Sequence, residues 1–414
     1  MLIQFSIANF RSFKDSQSLL MTTDTSTKEL PDNMHSFRLP GSYKKYSSVL
    51  KSAVIYGPNA SGKSTLIDAL EYMRFFIIES ARMQRGDEIT WVSPFKLDPS
   101  TPNEPSVFQA TFILPTKTEG NIKYEYGFAL TKERIVEEWL YEYRSSRATQ
   151  LFLRTYKAKK KETNWNFKEG LKVGDIHKRT LENTLFLSKA AQENHEHLAP
   201  VFDWFRQTLV VKSSHRDNDS IIRDCIKNNF ESRKDKILHF LQDADVGITD
   251  LQVLQKQAHA DELGTRLHSV YIMGSTKNKV SFDFLNDESD GTIAMLALAS
   301  ILIDAIDKER VFVIDELDKS LHPLLIKGLI EAFHRFSKNS QLIFSTHDIQ
   351  QMDEELFRKD QIWLIEKKHP TESSFLYRLS DLKGIRKEHA FDHRYLLGAY
   401  GGLPILGNFD LGSK

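Results

Sequence analysis

Apolar positions along this chain follow two periods, and the places where one gives way to the other mark its elements. The opening Met1-Leu2-Ile3-Gln4-Phe5 alternates as a strand does, with no charged leader. Ala53-Val54-Ile55-Tyr56 is a continuous apolar run of strand length, and Thr65-Leu66-Ile67-Asp68-Ala69-Leu70 begins a helical pattern. Residues 107–114 and 122–130 alternate around Thr116-Lys117-Thr118-Glu119-Gly120, which predicts a hairpin. Residues 136–156 and 164–168 predict further strands, with the charged stretch 157–162 turning between them. From about 180 to 245 the pattern becomes helical, as in Ala199-Pro200-Val201-Phe202-Asp203-Trp204-Phe205 and Ile237-Leu238-His239-Phe240-Leu241. Residues 293–306 predict a buried helix, too short to span a bilayer. Val311-Phe312-Val313-Ile314 and Gln341-Leu342-Ile343-Phe344 read as two more buried strands.

What stands at the ends of these strands carries the chemistry. The run 53–56 leads into Gly57-Pro58-Asn59-Ala60-Ser61-Gly62-Lys63-Ser64, with Thr65 behind it, the complete pattern G-x-x-x-x-G-K-[ST] between a strand and a helix. Such a loop wraps a nucleotide's β-phosphate in backbone N–H groups. Lys63 would neutralise charge on the β- and γ-phosphates, and Ser64 would put its hydroxyl on Mg²⁺. The run 311–314 ends in Asp315-Glu316, as a Walker B strand does. Open parallel sheets carry ligands at the carboxyl ends of their strands. Asp315 is thus placed for the Mg²⁺ shell and Glu316 as general base for the attacking water. The last strand ends in Ser345-Thr346-His347, where a histidine can hydrogen-bond a γ-phosphate.

Bulk properties narrow the class. Lysine plus arginine and aspartate plus glutamate number 56 each in 414 residues, so no global basic field calls for nucleic acid or an anionic membrane. The single cysteine, Cys225, rules out an internal disulfide framework and fits a cytoplasmic, reducing compartment. Arg223, Lys227, Arg233, Lys234 and Lys236 are the candidate local nucleic-acid patch. The lysines at 157 and 159–161 read as a solvated hairpin tip, and Glu193, His195, Glu196 and His197 as a solvated helix face.

Together these motifs resemble the ABC-class ATPase head. RAS-like GTPases lack the Asp-Glu pair and read guanine through Asn-Lys-x-Asp, which this chain does not carry. A signature opening a helix before Walker B is matched by Glu288-Ser289-Asp290-Gly291-Thr292, with Asp315 24 residues beyond Gly291 (291 to 315). It departs from the Leu-Ser-Gly-Gly-Gln of transporters, and Gln109 is the candidate for the Q-loop glutamine. Within the class, Ile3-Gln4-Phe5-Ser6-Ile7-Ala8-Asn9-Phe10-Arg11-Ser12-Phe13-Lys14 resembles the first strand of SMC-, RecF- and OLD-type ATPases. The P-loop, Asp315-Glu316-Leu317-Asp318-Lys319-Ser320-Leu321-His322-Pro323 and Tyr395-Leu396-Leu397-Gly398-Ala399-Tyr400-Gly401-Gly402-Leu403-Pro404 resemble the stand-alone prokaryotic ATPases typified by RloA, AbiLi and the PARIS-type ATPase AriA.

The resemblance implies an α/β ABC-ATPase head, a P-loop NTPase with a mixed sheet and flanking helices, carrying an inserted β-hairpin region and a compact helical lobe. The expected division is 1–135 for the first ATPase lobe, 136–265 for the insertion and 266–414 for the second lobe. ATP and Mg²⁺ are the implied cofactors. Two heads, as a homodimer or within a higher homo-oligomer, would clamp two nucleotides. Lys63, Ser64, Asp315, Glu316 and His347 would come from one copy, Ser289 and Gly291 from the other, with Asp318 at the seam. His322 either reaches the site across that seam or caps the next helix. The implied role is regulation of a separately encoded effector, such as a Toprim or HNH nuclease, in anti-phage defence, under a phage-encoded trigger and without a membrane partner. The rival expectation is a RecF- or RecN-like DNA-repair clamp.

Overall fold

The computed structural model describes residues 1–24, 29–38, 47–116, 120–213, 230–244, 247–257, 268–276, 281–319, 321–369, 371–385 and 390–404. Cys225, Arg223, Lys227, Ser320 and the hairpin tip 117–119 lie outside them. The strands, in chain order, are β1 (Leu2–Ala8), β2 (Gln17–Leu20), β3 (Met34–Phe37), β4 (Ser47–Leu50), β5 (Ser52–Tyr56), β6 (Ser106–Thr116), β7 (Gly120–Leu130), β8 (Ile135–Tyr143), β9 (Thr149–Lys157), β10 (Glu162–Phe167), β11 (Leu209–Lys212), β12 (Ile248–Gln257), β13 (His268–Thr276), β14 (Ser281–Asp283), β15 (Val311–Ile314), β16 (Gln341–Ser345), β17 (Ile362–Lys368) and β18 (Ser373–Arg378). The helices used below are α1 (Lys63–Glu79), α2 (Phe186–Gln192), α3 (Ala199–Asp203), α4 (Lys234–Asp243), α5 (Phe284–Asp287), α6 (Asp290–Asp307), α7 (Pro323–Phe336) and α8 (Phe391–Leu396).

Two large sheets organise the chain. One has the order β10-β9-β8-β7-β6-β1-β2, with antiparallel neighbours throughout. The other has the order β11-β15-β16-β5-β17-β18. Its strands from β11 to β17 run parallel, and β18 closes the edge antiparallel. Both faces of this second sheet are covered. Ala53, Ile55, Val311, Val313 and Ile343 pack into a core with α1 and the antiparallel sheet. Val54, Tyr56, Phe312, Ile314, Leu342 and Phe344 pack into another with α4, α6 and α7. Burial on both sides is why these strands are unbroken apolar runs, whereas the antiparallel strands alternate. The expected α/β architecture with a mixed, helix-flanked sheet is the one the chain adopts.

The stretch expected to be helical from about 180 to 245 is interrupted. Leu209-Val210-Val211-Lys212 forms β11, parallel to β15 and next to the Walker B strand. A three-residue apolar run does not distinguish strand from helix by period alone, and the pairing with β15 decides it. On either side of β11 the helices go to different cores. Phe186, Val201 and Trp204 join the first, where Trp204 stacks on Phe112 at 4.0 Å between ring centres. Ile237 and Leu241 of α4 join the second.

Among the candidate cations that are described, Arg233 pairs with Asp304 and Asp307, Lys234 with Asp250 and Lys236 with Asp307. These acids lie on α6 and β12, so the charges of Arg233, Lys234 and Lys236 are balanced within the fold. Glu193 pairs with Arg179 and Lys189. No helix among the described residues is long and apolar enough to cross a membrane.

Candidate functional site

The carboxyl ends of β5, β16 and β15 carry the predicted chemistry side by side. β5 delivers the P-loop into α1, where Ser61 and Lys63 are buried and Asn59, Ala60 and Ser64 are exposed. The loop is braced by remote segments. The Ser374 hydroxyl donates to the Ser61 carbonyl and lies 2.8 Å from Ser12 Oγ, whose own hydroxyl can donate to it, and the Ser374 amide donates to the Ser12 carbonyl at 2.8 Å. Gly62 has φ +120°, and a Cβ there would come within 2.5 Å of Ser374 Oγ, so both conformation and space require glycine. Beyond the loop, Asp68 of α1 pairs with Arg11 from the turn after β1.

Lys63 Nζ donates to the carbonyls of Gly57 (2.7 Å) and Pro58 (3.1 Å), its own loop. Burial pulls the ammonium below its usual range, and the Asp315, Glu316 and Asp318 carboxylates push it back up. Those acids act on Lys63 because β16 alone separates β15 from β5. The structure thus brings the Walker A lysine and the Walker B acids onto one edge.

Ser345, quoted above as part of a strand end with no role, is the link between β16 and β15. Its hydroxyl donates to Asp315 Oδ1 at 2.5 Å and accepts from the Glu316 amide at 2.8 Å. Glu316 itself has φ +54°, a left-handed backbone that costs a non-glycine residue roughly 1 kcal/mol and clusters at functional sites. Asp318 accepts from the His347 amide at 3.2 Å and so ties the turn after Walker B to the histidine loop. His347 is exposed.

A buried carboxylate oxygen without a donor tests the fit of a cation. Asp315 is 5% exposed, and its Oδ2 has no hydrogen-bond partner. The oxygen is therefore available to water in a Mg²⁺ shell, and the exposed Ser64 hydroxyl follows Lys63 on α1. The residues present fit a Mg–nucleotide.

Ser289 and Gly291 are placed elsewhere, at the start of α6 on the second core. Ser289 caps that helix, its Oγ accepting from the Thr292 amide at 3.2 Å, and both Ser289 and Asp290 are exposed. His322 resolves as a cap too, with Nδ1 accepting from the Leu324 amide at 3.3 Å ahead of α7. Gln109 lies mid-strand in the antiparallel sheet, opposite Ser6 and Gly127, and is not one of the strand ends meeting at the P-loop. The strand end that does lie beside Asp315 is that of β11, where the Asp315 amide donates to the Lys212 carbonyl at 3.0 Å. Burial and nearby Lys319 hold the Lys212 ammonium below its usual range. Sequence reasoning missed Lys212 because β11 was read as helix.

A cleft of about 620 Å³ opens over Gly57, Pro58, Asn59, Thr346 and His347, with Glu366 and Leu403 among its other walls. Its size is that of a small-molecule site.

Solved structures similar to this chain include the SMC head domain from Thermotoga maritima, at 16% identity and a TM-score of 0.41 over 91% of this chain and 98% of that one. An Smc head bound to the C-winged helix domain of ScpA matches at 13% identity and 0.43, over 91% and 97%. A Pyrococcus furiosus Smc head with an extended coiled coil, bound to the C-terminal domain of ScpA, matches at 13% and 0.43, over 91% and 96%. No curated protein sequence matches this chain. The model of one family does match, across residues 52–353, from the first residue of β5 to beyond the histidine loop. The chain belongs to the family described as "AAA domain, putative AbiEii toxin, Type IV TA system".

Proposed function

We propose that this chain is a Mg²⁺-dependent ATPase of the ABC-head type, cytoplasmic, working as paired copies to regulate a separately encoded effector in prokaryotic anti-phage defence. The observation that carries the ATPase reading is the convergence of Lys63, Asp315, Glu316 and His347 on one edge of one parallel sheet. In this reading the P-loop amides and Lys63 hold the phosphates, and Ser64 and Asp315 hold the cation. Bound there, Mg²⁺ supplies charge neutralisation at the phosphate oxygens. Glu316 takes the proton of the attacking water, and His347 reports whether the γ-phosphate is present.

The signature supports the pairing. Ser289 and Gly291 stand at a helix start and are not among the residues lining the cleft described above, so in this reading they serve a nucleotide held by a second copy. Contacts to a γ-phosphate from two chains exist only before hydrolysis, which makes the assembly switchable. The family's description in terms of toxin–antitoxin systems supports the defence role.

Purified full-length protein should release phosphate from ATP when Mg²⁺ is added. In Glu316→Gln, kcat should fall about 100-fold or more, the range of general-base loss. That variant should keep nucleotide affinity and accumulate as a closed pair in light scattering. Unimpaired turnover would remove Glu316 from the reaction, and a sample without affinity for adenine nucleotides would remove the reaction itself. For the effector, co-expression with the neighbouring reading frame should recover a stoichiometric complex with a nuclease or other toxin. A permease in that place would overturn the defence role.

A further inference from the structure

The segment Tyr395 to Pro404, conspicuous in the sequence, takes no part in the chemistry above, yet it is built with care beside it. Leu403, Pro404 and Tyr395 line the same cleft as Gly57, Asn59 and His347. The Tyr395 ring lies 6.3 Å from that of Tyr56, the last residue before the P-loop. Three hydrogen bonds fix the turn. Tyr395 OH donates to the Gly402 carbonyl at 2.6 Å, Tyr377 OH donates to the Tyr400 carbonyl at 2.8 Å, and the Gly402 amide donates to Glu366 Oε2 at 3.0 Å. Tyr377 OH also approaches Glu366 Oε2 at 3.3 Å. Gly401, at φ +75°, has no room for a side chain, because a Cβ would meet Tyr377 OH at 2.6 Å and Glu366 Oε2 at 2.8 Å.

Glu366 is the keystone. It sits near the carboxyl end of β17, the strand beside β5, and therefore on the same edge of the sheet as the P-loop. The Glu366 carboxylate accepts the Gly402 amide in a charge-assisted bond, stronger than a neutral acceptor would give, and holds the turn together with the two tyrosine bonds. Without them a glycine-rich turn has little reason to stay in one conformation.

We infer that the turn 398–404 is a wall of the nucleotide cleft and that Glu366 is a positioning residue for nucleotide binding, acting through that turn. The inference rests on the nucleotide reading of the cleft. It adds that Leu403 and Pro404 wall the same cleft as Pro58 and Asn59. By linkage, a filled cleft also stabilises the turn.

The test is equilibrium binding of a fluorescent ATP analogue with Mg²⁺ to the full-length chain, together with the rise in Tm that nucleotide produces. Glu366→Ala should weaken binding about tenfold, the weight of one charge-assisted hydrogen bond. It should also shrink the nucleotide-induced rise in Tm, and raise KM more than it lowers kcat. Glu366→Gln keeps an acceptor for the Gly402 amide and should restore most of the affinity. Leu403→Ala leaves the lock untouched and removes only wall, so it reads the same inference if Glu366→Ala fails to fold; it should weaken binding by a smaller factor. Wild-type affinity in both Glu366→Ala and Leu403→Ala would overturn the inference while leaving the nucleotide site intact. Absence of binding by the wild-type chain would instead overturn the nucleotide reading on which it rests.

Discussion

The two ends of the parallel sheet are both rich in buried polar groups, and they use them in opposite ways. At the amino ends of the strands the groups close on one another. Gln341 donates to the carbonyls of Leu2 and Leu50, both at 3.0 Å, and its Oε1 accepts the Leu2 amide. Gln361 donates to Ser52 Oγ at 2.7 Å, and Asn33 donates to Gln361 Oε1 at 2.8 Å. His334 Nε2 meets Ser52 Oγ at 2.8 Å, and Lys51 Nζ donates to the His334 carbonyl at 2.6 Å. At the carboxyl ends, Asp315 Oδ2, Asp318 Oδ1 and Ser61 Oγ are buried without a partner, and Lys63 is satisfied only by its own loop. Buried polarity that closes on itself specifies the register of a sheet, whereas buried polarity left open is matched to something that arrives.

That contrast is broken most severely by Lys63→Ala. It should reduce ATP affinity by roughly 100-fold or more, since an ammonium facing phosphates is lost, while Tm without nucleotide stays within a few degrees. Titration with a labelled nucleotide beside a thermal melt separates the two. A large fall in Tm with affinity retained would make this end structural as well.

The reverse experiment is Gln341→Ala. Losing its buried bonds and leaving the Leu2 groups unpaired should cost about 2–3 kcal/mol of stability, read from denaturant unfolding, with the KM for ATP unchanged. A shift in KM would show that the two ends communicate.

Acid sharpens the same contrast. Burial holds His35 at about 4 and His334 at about 3, against 6.5 for a free imidazole. Above 6.5 both are neutral whether folded or not, and they leave stability unchanged. Below 6.5 the unfolded chain takes up protons that the folded one refuses, so stability falls down to the folded values. At pH 5.5 the loss should be about 1 kcal/mol from each histidine. Melts between pH 7 and 5 check this, and a Tm flat over that range would mean the network admits protons.

The mildest perturbation is Ser374→Ala, which removes one brace from the P-loop. It should raise the KM for ATP about threefold, the effect of one neutral hydrogen bond, and leave kcat unchanged. An unaltered KM would show that Gly62 and its neighbours hold the loop unaided.

How far these features could be read in advance depended on how local they are. Residues 53–56, 311–314 and 341–344 were legible because strands buried on both faces write themselves as apolar runs. Their last residues carried the P-loop, the acids and His347 within a few positions. The helix start at Ser289-Asp290-Gly291 was legible for the same reason, whereas the capping bond that Ser289 Oγ accepts from the Thr292 amide is a finding of the structure. Leu209–Lys212 was not, because only its pairing with Val311–Ile314 makes it a strand. Ser345 stood in plain view at a strand end, but its bonds to Asp315 and Glu316 depend on strand order. The braces Ser12 and Ser374 and the lock at Glu366 join positions hundreds of residues apart, and no window along the chain contains both partners.

The braces on the phosphate loop have a consequence for biosynthesis. Ser12 leaves the ribosome long before the octapeptide, and Ser374 some three hundred residues after it. A nascent or truncated polypeptide ending short of β18 therefore displays the whole fingerprint without its second support. Premature termination then yields a fragment with a slack cradle.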